Sequence, residues 1–258
     1  MRKSTRIFLL LLILLAVWSA IVRLADIPDY ILPGPFRVLE AWINNSTLLL
    51  DNAAVTLAEI LLGMLLGIIF GALSALLLMM YRSARLWLLP LLVASQALPV
   101  FALAPILILW LGYGMASKVA MASLIIFFPV CANFYDGLRR SPRPIIEMSQ
   151  MMTSRQSSWR SRLRILLLIR LPSALPSAAS GLRIAAATAP IGAIVGEWVG
   201  SGAGLGYIML RSNARVEIDL MFAALLSLAV MAVALYWLVD AVLRRIVTWS
   251  NEEETHDQ

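Results

Sequence analysis

The sequence predicts an all-α membrane protein with about six transmembrane helices and both termini in the cytoplasm. Three observations carry that reading. Of the 258 residues, 61% are hydrophobic and only 14% charged, with a mean hydropathy of +0.85; that is more apolar surface than one soluble core of this length can hide. The apolar residues are gathered into uncharged runs close to the roughly 20 residues that a helix needs to cross the hydrocarbon. Fifteen of the 21 Lys and Arg, in the segments 2–6, 82–85, 139–170 and 244–245, fall on one side of six crossings, and five fall on the other. The positive-inside rule makes the first side cytoplasmic.

Taken in order, the first span, 7–23, follows Met1-Arg2-Lys3. A basic start and small residues at 16–20 also describe a cleaved signal peptide, but the apolar run is long for one and no clean Ala-x-Ala site follows, so we read a retained span. An outer stretch leads to the second span, 57–81, which ends at Arg82 and Arg85. Gly63, Gly67 and Gly71 recur there every four residues and line one face with small groups, a pattern for close helix packing. The third span, 87–110, holds Pro90, Pro99 and Pro105, and the fourth, 117–136, closes at Asp136. A cytoplasmic loop over 137–171 follows. The fifth span, 174–196, is the least regular, because Pro172, Pro176 and Pro190 remove backbone donors and Arg183 interrupts it. The sixth, 220–243, reaches Asp240 before Arg244-Arg245. No linker divides the chain, so residues 1–258 read as a single transmembrane domain.

Composition also excludes chemistry. One cysteine, Cys131, and one histidine, His256 in a polar tail, leave no disulfide framework, metal site or His-based catalysis to build within one chain. There is no Gly-x-Ser-x-Gly and no paired intramembrane Asp, so an intramembrane enzyme is disfavoured and no cofactor is expected. The formal charge of +6 is topogenic, and nucleic acid is not an expected partner. Gly200-Ser201-Gly202-Ala203-Gly204-Leu205-Gly206 is not a phosphate loop, since no Lys-Ser/Thr pair follows and it lies in an outer loop. Its glycines suit tight turns beside a pathway; an ordinary flexible loop is the plain alternative.

Within the inner loop, Ile145, Met148 and Met152 fall on one face of a short helix. Such a face is buried either in a partner's groove or against the membrane surface. Glu147-Met148-Ser149 opens this segment, and Leu171-Pro172-Ser173-Ala174-Leu175-Pro176 closes it. Together with the Leu-Pro-Gly-Pro at 32–35, the proline pattern of 97–105 and the stretch Ala189-Pro190-Ile191-Gly192-Ala193-Ile194-Val195-Gly196-Glu197-Trp198-Val199-Gly200, this resembles the permease subunits of binding-protein-dependent ABC importers. The likeness covers nearly the whole chain and points to the type I fold. It departs from the family where Glu-Ala-Ala would open the loop and where Thr153 stands near an expected glycine.

The resemblance implies a separate cytoplasmic ATPase that docks on Ile145, Glu147, Met148, Met152, Leu171 and Pro172. It also implies an extracytoplasmic substrate-binding protein, a second and identical permease copy, and a home in the bacterial inner membrane. The wording of 189–215 is similar to the branch for hydroxymethylpyrimidine, a thiamine precursor; related permeases carry aliphatic sulfonate, taurine or nitrate. A passive channel or scaffold would explain the glycines and prolines but not the inner loop.

Charges in or near the membrane need partners, so Glu59, Arg183, Glu197 and Asp240 stand out. Arg183 and Glu197, about four helical turns apart, are too far from one another to pair. Pro99, Pro105, Trp110, Arg183, Glu197, Trp198, Gly204 and Gly206 are the candidate gate and pathway residues. Trp110, Trp198 and Tyr207 could form a wall for a flat heterocycle, although anchoring at the interface is the commoner fate of such aromatics.

Overall fold

A computed structural model describes residues 3–141, 144–145, 147–148 and 163–248. Among them the regular structure is all helical: α1 (Lys3–Leu24), α2 (Pro35–Asn44), α3 (Ser46–Met80), α4 (Arg82–Ser95), α5 (Val100–Leu111), α6 (Met115–Arg139), α7 (Leu171–Gly200), α8 (Leu205–Ala214) and α9 (Ile218–Ile246). A π-helical turn, Leu166–Arg170, runs directly into α7. Four stretches, 46–80, 115–139, 163–200 and 218–246, are long and apolar enough to cross a membrane.

The expected third span is two helices rather than one. α4 and α5 meet at 105°. Pro99 causes the break, because it has no N–H to donate and pushes Leu98 out of helical geometry. Before it the chain tightens into three-residue turns, from Gln96 N to Val93 O, Ala97 N to Ala94 O and Leu98 N to Ser95 O. Pro90 and Pro105 lie inside α4 and α5 without ending them. Conversely, the prolines expected to disturb the fifth span do not interrupt it. Pro172 lies just past the π turn, where the Leu171 N–H reaches back to Leu166 O and the helix continues through it, and Pro176 and Pro190 are carried within the helix. The residues 163–171, read from sequence as the end of a loop, are already helical.

The chain packs as two compact units, 1–58 with 197–231, and 59–196 with 232–258. In the first unit Val38, Leu49, Leu205, Ile208, Ala223 and Ala224 form the buried centre. Trp18 stacks obliquely on Phe222 with centroids 6.1 Å apart, and Trp42 donates its indole N–H to Ser227 at 2.9 Å. In the second unit α6 is the middle of the assembly. Positions 63, 67 and 71 of α3 lie against Ala122, Ile126 and Val130, while positions 181, 192 and 196 of α7 lie against Asn133, Ala122 and Lys118. A methyl at 67 would sit 2.7 Å from the Ile126 side chain and one at 192 only 2.6 Å from the Ala122 backbone. Glycine is therefore required for this spacing, and van der Waals contact rather than hydrophobic transfer holds the seam, since lipid is as apolar as leucine.

Candidate functional site

α7 ends at Gly200, and only four residues connect it to α8. Ser201 and Ala203 bond to each other within this turn, the Ala203 N–H donating to the Ser201 hydroxyl at 3.1 Å. Gly204 then takes φ +109°, a conformation side chains rarely adopt, and a Cβ there would fall onto the Glu197 carboxylate. The start of α8 is thus turned back onto the end of α7.

The first N–H groups of a helix have no partner within it. Here those of Gly204, Leu205 and Gly206 are met by side chains. Gly204 N–H donates to Asn52 Oδ1 at 2.7 Å, Leu205 N–H to the Thr56 hydroxyl at 2.9 Å, and Gly206 N–H to Glu197 Oε2 at 2.5 Å. Thr56 in turn donates to Glu197 Oε1 at 2.6 Å. Glu197 is 1% exposed, so its charge is sustained by these donors and by the positive end of the α8 dipole. The cluster pairs a hydroxyl with a carboxylate, both fully buried. What it can do is hold α8 against α3 and release it when the carboxylate loses its donors.

The second unit holds two further ionic centres. Lys118 Nζ meets Glu59 Oε1 at 2.9 Å, with side-chain exposures of 8% and 0%. Arg183 Nε meets Asp240 Oδ1 at 2.7 Å, and Arg244 takes the other oxygen of Asp240 at 2.8 Å. Lys118, counted from sequence among the cations on the outer side, is buried near the start of α6. Burial of both groups is tolerated only because they neutralise each other.

The remaining expected site residues are distributed as follows. Pro99, Pro105, Trp110 and Trp198 are exposed, and Tyr207 is half-buried. Gly206 belongs to the Glu197 cluster. Ile145, Glu147 and Met148 are exposed, Leu171 packs on the core of the second unit, and Pro172 is exposed. Met152 lies outside the described residues. Asn52 and Thr56 escaped the sequence reading. Their i, i+4 spacing one turn before Glu59 was the available signal, yet nothing local shows that their partner is 141 residues away.

Several lipid-length apolar helices with buried, mutually neutralised charges define a multi-pass membrane protein. The chain belongs to the family of binding-protein-dependent transport system inner membrane components, which matches residues 63–248. It is 51% identical to a probable ABC transporter permease protein of Haemophilus influenzae, over 92% of this chain and 94% of that one. It is 40% identical to the formylaminopyrimidine transport permease ThiX of Halalkalibacterium halodurans, over 59% of this chain and 62% of that one. It is 36% identical to the riboflavin transport system permease RibX of Chloroflexus aurantiacus, over 93% and 88%. The chain is accordingly a permease subunit of an ABC importer, a transport component rather than an enzyme, in the inner membrane. Permeases of this kind work with an ATPase and a substrate-binding protein.

Proposed function

We propose that this permease passes a pyrimidine precursor of thiamine, such as hydroxymethylpyrimidine, and does so as two identical copies. The observation that carries the substrate reading is the 40% identity to ThiX over 155 residues, alongside the wording of 189–215. Riboflavin is the competing solute, because the likeness to RibX runs over 93% of the chain.

In the mechanism, Ile145 and Met148, 49% and 62% exposed, enter a groove on the ATPase, with Met152 completing the face. Leu171 and Pro172 begin the same helix that ends beside Glu197. A push on the inner loop is delivered along α7, about 45 Å of helix, and Glu197 acts as the outer latch. With the latch made, α8 is held; with it broken, the Gly200–Gly206 turn is free to admit a solute from the binding protein.

Reconstitution with the cognate ATPase and binding protein tests the substrate. Hydroxymethylpyrimidine is expected to stimulate ATP hydrolysis and to accumulate in the vesicles. Stimulation by riboflavin or taurine in its place would overturn the assignment.

A further inference from the structure

Within the second unit, the ends of α3, α4 and α6 enclose a cavity of about 190 Å³. Its walls are leucine, valine and phenylalanine side chains with Cys131, and its polar lining comes from Tyr135, Asp136 and Arg139. Tyr135 is 3% exposed, and its hydroxyl has no hydrogen-bond partner among the described residues. An orphaned buried hydroxyl is destabilising, and one that lines a cavity points to an absent acceptor.

The charge around the cavity is unbalanced. The Arg139 guanidinium stands 5.6 Å from the Tyr135 ring centroid. Arg85 donates to the carbonyl of Leu78, a wall residue, at 3.4 Å, and among the described residues Arg170 is given only the Met79 sulfur of the same helix end, at 3.3 Å. These are weak acceptors for groups that prefer carboxylate or phosphate. None of the three arginines is ion-paired among the described residues, and the one carboxylate at the rim, Asp136, is unpaired too. The cavity lies at the arginine-rich end of the spans, where hydrocarbon gives way to headgroups.

We propose that this cavity seats one anionic phospholipid from the arginine-side leaflet. Its phosphate is held by Arg139 and Arg85, an ester carbonyl accepts the Tyr135 hydroxyl, and the first methylenes of a chain fill the apolar walls. Asp136 accepts from a hydroxyl-bearing headgroup, which makes phosphatidylglycerol the fitting probe.

The experiment uses the complete importer, delipidated and placed in phosphatidylcholine nanodiscs. Bound lipid is counted by native mass spectrometry and the unfolding midpoint is followed as phosphatidylglycerol is added. One phosphatidylglycerol retained per permease copy and a raised midpoint are expected. Tyr135→Phe and Arg139→Gln should each weaken retention roughly 2- to 10-fold, the worth of one hydrogen bond, while Arg37→Gln, in the other unit, leaves it unchanged. Tyr135→Phe removes a group that lacks a partner, so without added lipid its midpoint should equal or exceed that of the parent, which separates lost binding from lost folding. Equal retention of phosphatidylcholine, a midpoint rise reproduced by inorganic phosphate alone, or retention unaffected by both variants would each overturn the proposal.

Discussion

The Thr56 hydroxyl lies 2.6 Å from Glu197 Oε1, joining α3 to the end of α7 across 141 residues of sequence. Because the other oxygen of Glu197 receives the Gly206 N–H, one carboxylate fixes a neighbouring span and the start of a helix together. Glu197→Gln sets an amide N–H₂ against one of these donors. Membrane insertion should be normal, stability should fall by about 1–3 kcal/mol, and uptake should drop. Thr56→Val should reproduce most of the loss. Thermal unfolding and vesicle uptake measured on the same preparations check this.

Gly204 and Gly202 form an internal comparison. Gly204→Ala forces a side chain into φ +109° and onto Glu197, whereas a methyl at Gly202 meets nothing within 4 Å. The first should cost about 1–3 kcal/mol from backbone strain alone, and the second should be near neutral. Unfolding midpoints of the two variants decide the matter.

Lys118→Met leaves the buried Glu59 carboxylate without its ammonium and should destabilise by about 3–5 kcal/mol. Combining it with Glu59→Met replaces the pair with apolar groups and should recover most of that loss. A double-mutant cycle on unfolding free energies measures the recovery.

Asp240 serves both Arg183 and Arg244. If Arg183 acts on the solute and is not only a partner for Asp240, then Arg183→Gln will impair uptake even when Asp240→Asn removes the charge imbalance. Restored uptake in the double variant would assign Arg183 to structure alone.

Met148 is 62% exposed in the inner loop. Met148→Asp with Met152→Asp should abolish copurification of the ATPase while the permease still inserts. A pull-down from membranes reads this directly.

Much of this molecule is legible from its sequence because the bilayer imposes a length on every apolar run. The runs read as spans two, four and six fall on α3, α6 and α9 for that reason, although α3 begins at Ser46, well before the run at 57–81. The third could not be read as two helices, because Pro90, Pro99 and Pro105 look alike in sequence and only Pro99 breaks the chain. Pro172 and Pro176 deceived in the opposite direction, since the helix that enters through a π-helical turn carries both without a break. At the site, Glu197 was legible as a buried charge in need of partners. The identities of its partner Thr56, and of the Lys118 that serves Glu59, were not, because both are ordinary polar residues until tertiary structure brings them within 3 Å of a carboxylate.

The glycine seam around α6 has a mechanical consequence. Helices separated by side chains can roll or slip a little by changing rotamers, but backbones in direct contact have no such play. α3, α6 and α7 of the second unit therefore resemble laminated boards, a construction suited to carrying torque between the Arg139 end and the Lys118 end. A leucine at position 67 or 192 would put a spacer between the boards, and the lever would flex where it now turns.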